Sequence, residues 1–451
     1  MGCEHSSTVA AYIAEALDHP LPDEVAARAR LHLLDTLAAI VSGSRLRAGR
    51  LAAAYVEAEG GRPEASVFGT PVVTTAANAA LANAMAAHAD ETDDSHVGSR
   101  THPGCGVVPA ALAMAERGDR DGTALLRAVV LGYDIGTRFV MALGYSRPRA
   151  AMHSTHSLGS LFGAAAAAGA LAGLDARQAE HLISYAVQQA SGVPYWERDA
   201  EHVEKAFDFG GMGARNGVLA ATMVAAGFSG VEGVLTGEHS YLSTFADHPH
   251  ADVLTDGLGS RFEVMETAIK KWCVGSPIQA ALDSLTALID EHGLRADDVA
   301  TITATMPDDR LHIVDDRDMP DVCLQHLIAV TLIDGTLGFA AAHDHARMED
   351  RSVRAVRQRI RVAPSAELTQ AKPPRQAIIE IETVDGRHLR HHTRAVLGTP
   401  ANPMSGAEVA AKARDLMEPV LGPDRTDRLV GAVLDIERFG PVKGLRPLLR
   451  T

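Results

Sequence analysis

Apolar positions recur at helical spacing along most of this chain. Residues 7–17 and 22–41 mix apolar and polar side chains in that rhythm, and Gly43 closes the second run. Residues 51–59 predict another short helix, ended by Gly60 and Gly61. Residues 75–87 are alanine-rich and uncharged, which predicts a buried helix, and residues 107–116 and 125–143 carry the same pattern. Residues 158–174 (LGSLFGAAAAAGALAGL) hold no charge at all. The run is short for a bilayer, only weakly apolar and followed by no second span, so it predicts a central buried helix. Its small side chains would let neighbouring helix backbones approach closely. Helical runs over 178–192 and 214–227 follow, and no strand-like alternation of useful length precedes about residue 260.

The character changes near Phe262. An amphipathic helix over 278–292 is followed by strand-like segments at 299–304, 360–362 and 377–383, with a turn at Asp385-Gly386 and a return over 392–396. Residues 324–337 and 351–357 are helical between them, and residues 405–416 and 426–436 return to helix. The pattern therefore predicts a mainly α protein with an α+β lid. The large helical domain would take residues 1–265 and 399–451, from both chain ends, and the smaller α/β domain residues 266–398.

Composition narrows the function. Among 451 residues, aromatics are only 4%, so alanine, leucine and valine must build the core. The net charge of −15 offers no basic face for a phosphate backbone, which argues against nucleic acid. An anionic ligand would need a local cationic pocket. The four cysteines form no CxxC pair, and no basic segment precedes an apolar one at the N-terminus, so a reducing cytoplasm is the expected location. No glycine loop has the spacing of a nucleotide-binding motif, and no cofactor is expected.

Candidate chemistry concentrates in residues 88–109, HADETDDSHVGSRTHPGCGVVP, between two apolar helices. His88, Asp90, Glu91, Asp93, Asp94, His96 and His102 are costly to desolvate there unless they pair or react. His153-Ser154-Thr155-His156 precedes the alanine helix, whose N-terminus would suit a carboxylate, though a serine or threonine could simply cap it. Lys205 stands alone among apolar residues and glycines, as either a solvated group or a buried cation facing an anion.

The segments HADETDDSH…THPG…VVPAALAMAE, HSTHSLGSLFGAAAAAGALAGLD, EKAFDFGGMGARNGVLAA, LQHLIAVTLIDG and NPMS…EV resemble the MmgE/PrpD family in order and spacing over nearly the whole chain. That family includes 2-methylcitrate dehydratase, cis-aconitate decarboxylase and iminodisuccinate epimerase. The resemblance implies a homodimer and metal-free lyase chemistry on a small di- or tricarboxylate. By the same resemblance His102 and His153 are the proton-transfer pair, supported by Asp93. Lys205, Lys271, Ser95 and Glu91 would hold substrate, with Gln279 and His326 at further substrate positions. Three departures alter the expected hydrogen bonding: Glu91-Thr92 where many members have Asp-Phe, Gln279 where a histidine is frequent, and His326 where a tyrosine is common. They leave dehydration, decarboxylation and epimerisation open. A metal-dependent hydrolase using Asp93, Asp94, His96 and His102, or a ligand-binding member without turnover, are the alternatives from other classes.

Overall fold

A computed structural model describes residues 4–144, 151–199, 201–309 and 311–451. It is mainly helical, with small sheets, and the chain divides into two compact units.

The first unit comprises Met1–Ala89, Asp93–Thr267 and Gly406–Thr451. At its centre lies the helix Thr155–Ala172, buried over nearly its whole length. The helices Gly122–Met141, Met212–Ala225 and Pro103–Arg117 pack around it. Glycines explain why these backbones come so close. A Cβ on Gly136 would lie 2.5 Å from the carbonyl oxygen of Gly159, and one on Gly163 would lie 2.6 Å from that of Gly132. Any larger side chain at these crossings would push the helices apart. None of the described helices is long and apolar enough to cross a membrane. The helix Gly406–Leu421 packs on Asp23–Gly43, where Lys412 Nζ meets Asp35 Oδ1 at 2.7 Å with both side chains buried.

The second unit comprises Asp90–Thr92 and Ala268–Ser405. Its four-stranded sheet runs in the order Ile360–Ser365, Val299–Pro307, Ala377–Thr383, His388–Thr393, the first pair parallel and the others antiparallel. The strand Ala377–Thr383 shows why: Ile379 and Ile381 are buried while Glu380 and Glu382 between them are exposed, an alternation only a one-sided sheet satisfies. The helices Gln279–His292 and Leu324–Asp334 contribute Leu282, Leu285, Leu327 and Ile328 to the same core. The hairpin return begins at His388 rather than at residue 392. Thr383 N–H bonds the Arg387 carbonyl at 3.0 Å around Gly386, so the turn is tight and pairing resumes at once.

The three residues Asp90–Thr92 are clamped within this second unit. His343 Nε2 lies 2.8 Å from Asp90 Oδ2, and Lys270 Nζ donates to the Glu91 carbonyl at 2.7 Å and lies 3.6 Å from its carboxylate. Burial alone would lower the His343 pKa, but the hydrogen bond and charge of Asp90 dominate and push it from 6.5 up to about 9. A histidine raised in the folded state stabilises fully below its unfolded pKa and loses that contribution as pH rises through the folded one. Stability should therefore fall between pH 6.5 and about 9 by on the order of 3 kcal/mol from this pair. Urea melts across that window should show the decline in the wild type, and it should flatten in His343→Phe/Asp90→Asn.

Candidate functional site

The candidate site grows from two helix ends in the first unit. His88 is the C-terminal cap of the helix Ala76–Ala87, and His102 is the N-terminal cap of Pro103–Arg117, where Pro103 fits the first turn because its missing N–H is not needed there. Asp93 joins them. Its Oδ1 lies 3.0 Å from His102 Nδ1, and both of its oxygens lie 3.0 Å from His88 Nδ1. Burial would push the Asp93 carboxyl up, but the charges and hydrogen bonds of His102 and His88 outweigh it and hold the group well below the usual carboxylate range. The neighbouring Asp94 faces another way. It accepts from His32 Nδ1 at 2.8 Å, Tyr133 Oη at 2.5 Å and Gly104 N–H at 3.0 Å, so it fixes the start of the helix that carries His102.

Phe209 organises the rest. It lies in a π-helical turn, Phe207–Gly211, whose Gly210 and Gly211 let the backbone press against Ala84 and Met85. The Phe209 carbonyl accepts from Ser160 Oγ and Cys105 Sγ. His88 stacks on one side of the Phe209 ring (centroids 4.1 Å, 18°) and His156 also stacks on it (3.5 Å, 10°). His102 sits 5.0 Å from His88 and 5.4 Å from His156. Burial first, then the charges of His102, His88 and Lys205, depress the His156 pKa well below 6.5, so its ring is neutral. Lys205 Nζ lies 5.1 Å from the Phe209 ring centre and 5.4 Å from that of Trp196. The rings of Phe209 and Trp196 flank this ammonium. Phe207, its neighbour in sequence, is 41% exposed.

Of the residues singled out from sequence, Asp93, His102 and Lys205 converge on this cluster. Ser95 is buried in the two-residue strand Ser95–His96. His153 is half-buried with its ring against Phe245 at 4.6 Å, and it is His156, three residues on, that stacks beside His102. In the second unit, Lys271 lies over the Trp272 ring at 4.3 Å, while Lys270 is the buried lysine paired with Glu91. Gln279 donates both amide hydrogens to the Trp272 and Val274 carbonyls at 2.8 and 3.0 Å and accepts from Trp272 N–H at 3.1 Å. That amide holds a backbone turn and has no N–H left for a ligand. His326 is fully buried, and neither ring nitrogen has a hydrogen-bond partner among the described residues. Burial, then the charges of Arg357 and Arg347, lowers its pKa to about 4.

The proposed hydrolase ligands do not converge as a set, because Asp94 is engaged as above and His96 pairs with Glu263 at 3.3 Å and with Ser99 at 2.8 Å. One atom each from His88, Asp93 and His102 does fall within 4.8 Å of the others, close enough to hold an ion. In the present arrangement both imidazole Nδ1 atoms already bond the carboxylate.

Two family models match the chain: the MmgE/PrpD N-terminal domain over residues 7–254 and the MmgE/PrpD C-terminal domain over residues 272–436. Similar curated proteins include the cis-aconitate decarboxylase-like protein oryM of Aspergillus oryzae, 24% identical over 97% of this chain and 95% of that protein. The cis-aconitate decarboxylase of Aspergillus terreus is 25% identical over 95% of this chain and 92% of its own length. The human cis-aconitate decarboxylase is 27% identical over 51% of this chain and 47% of its own. With both halves matched in order, the chain belongs to the MmgE/PrpD family.

Proposed function

We propose that this protein is a lyase acting on a small di- or tricarboxylate, with cis-aconitate decarboxylation as the reaction its named relatives favour and 2-methylcitrate dehydration as the neighbouring possibility. The observation that carries the reading is the His88–Asp93–His102 assembly beside the Lys205 ammonium. Decarboxylation of an unsaturated tricarboxylate breaks one C–C bond and releases CO2. The electron pair moves into the conjugated carboxylate system, and one proton must be delivered to carbon. Dehydration instead removes a proton beside a carboxylate and protonates the leaving hydroxyl. Both need an imidazole with an oriented tautomer and a cation that offsets developing charge. Asp93 bonds Nδ1 of His102 and orients the ring, and in this reading Nε2 carries the reacting proton. Lys205 takes the carboxylate charge.

Incubation with cis-aconitate, 2-methylcitrate, citrate and iminodisuccinate, followed by proton NMR and ultraviolet absorbance, tests the reading. Loss of CO2 or water from one of them supports it. Turnover of none, or activity abolished by exhaustive chelation and restored by a divalent ion, counts against it. The same reading includes a homodimer, and light scattering that gives a monomeric mass at micromolar concentration would contradict that part.

A further inference from the structure

Trp196 stands out because its polar atom has no hydrogen-bond partner among the described residues. The indole lies in the short 3-10 turn Pro194–Arg198, and the turn is secured from both sides. Tyr195 Oη donates to Glu204 Oε1 at 2.6 Å, and Asp199 Oδ2 accepts the Lys205 backbone N–H at 2.9 Å. The ring meets His156 edge-on (5.3 Å, 84°) and Phe209 edge-on (4.8 Å, 89°). Its Nε1 is buried and has no hydrogen-bond partner among the described residues, and the same holds for Nδ1 of His156. The chain's other tryptophan, Trp272, instead donates its Nε1–H to Asp283 at 2.9 Å. A buried indole N–H is costly to leave unmade. Two such orphans beside one ammonium form a set of donors suited to a carboxylate.

We infer that Trp196 is a substrate-recognition residue, whose indole N–H, together with His156 in its Nδ1–H tautomer, hydrogen-bonds one carboxylate of the bound polycarboxylate while Lys205 offsets the charge. This rests on the polycarboxylate reading above and extends it, because it assigns specificity to a turn outside the Asp93 assembly. A neutral donor pair with one ammonium favours a delocalised carboxylate over a hydroxyl or an amide at that position.

Trp196→Phe keeps an aromatic ring, smaller than the indole, and deletes the N–H. Steady-state kinetics on the turned-over acid should show KM raised roughly 10- to 100-fold, with kcat changed only a few-fold. A merely structural role would not produce that split. Calorimetry with cis-aconitate and with citrate should show the same weakening in Kd. In a Trp272→Phe background, Trp196 is the sole tryptophan, and its emission should change saturably as either acid is added. This arm uses native Trp196, so it decides the matter even where Trp196→Phe fails to fold. Wild-type Kd in Trp196→Phe, or unchanged Trp196 emission while calorimetry records binding, overturns the inference and leaves the lyase reading intact. Absence of binding of every acid to the wild-type protein overturns both.

Discussion

His102→Asn is expected to lower kcat on the true substrate by roughly 10²- to 10⁴-fold while moving the melting temperature little. The asparagine amide can still reach Asp93 from about the position of Nδ1, so the buried carboxylate keeps a donor. What disappears is the second ring nitrogen, the only part of the side chain able to carry a proton to carbon or oxygen. Asp93→Asn should cost activity comparably but stability as well, since it removes the anion that both His88 and His102 face at 3.0 Å. Because those histidines hold the Asp93 carboxyl well below the usual range, Asp93 is ionised throughout the working pH range. The acidic limb of the rate profile should then report a histidine. Stopped assays from pH 5 to 9, with a melting curve for each variant, check both statements. If His102→Asn keeps kcat within a few-fold of wild type, the proton carrier lies elsewhere, with His156 and His153 next to be tested.

Much of the helical scaffold was legible in the chain because its signals are local. The uncharged alanine and glycine run became the central helix, and glycines at 159 and 163 meet glycines at 136 and 132 in close contact. The sheet was legible wherever polar and apolar residues alternate, as in residues 377–383. Asp93, His102 and Lys205 were legible because ionisable groups embedded in apolar sequence are costly. His88 carried the same mark, but nothing local tied it to His156, Phe209 and Trp196. Their placement comes from stacked and edge-on ring contacts around a π-helical turn, and His88 and Phe209 lie more than a hundred residues apart in the chain. Lys270 and Lys271 show a different limit. They are adjacent and chemically identical, yet only one is buried against Glu91, and no periodic pattern around them says which. Gln279 shows a third, since a buried amide can serve a ligand or a turn, and only its partners reveal that it serves a turn.

Lys205→Met should reduce kcat/KM by about 30- to 1000-fold, equivalent to about 2–4 kcal/mol of transition-state stabilisation. In a protein of net charge −15, a polycarboxylate is repelled at long range, so local cations must supply most of the attraction. The Lys205 ammonium lies 5.1 and 5.4 Å from two aromatic ring centres, and neighbouring His156 is held neutral. Low-dielectric rings on one side and no compensating imidazolium charge from His156 make the lysine's own charge count for more than a solvated one would. Methionine fills much of the same volume and keeps the contact with Phe209 and Trp196, so the loss measures charge rather than packing. The cation–π contacts themselves contribute about 0.5–2 kcal/mol to stability. Both KM and kcat should worsen, because the carboxylate is bound in the ground state and its neighbour gains negative charge in the transition state. Raising ionic strength should weaken binding in the wild type more steeply than in the variant. Wild-type kinetics in Lys205→Met, with the fold intact by circular dichroism, would show that the carboxylate is held by other groups and that the cluster around Phe209 is not where substrate binds.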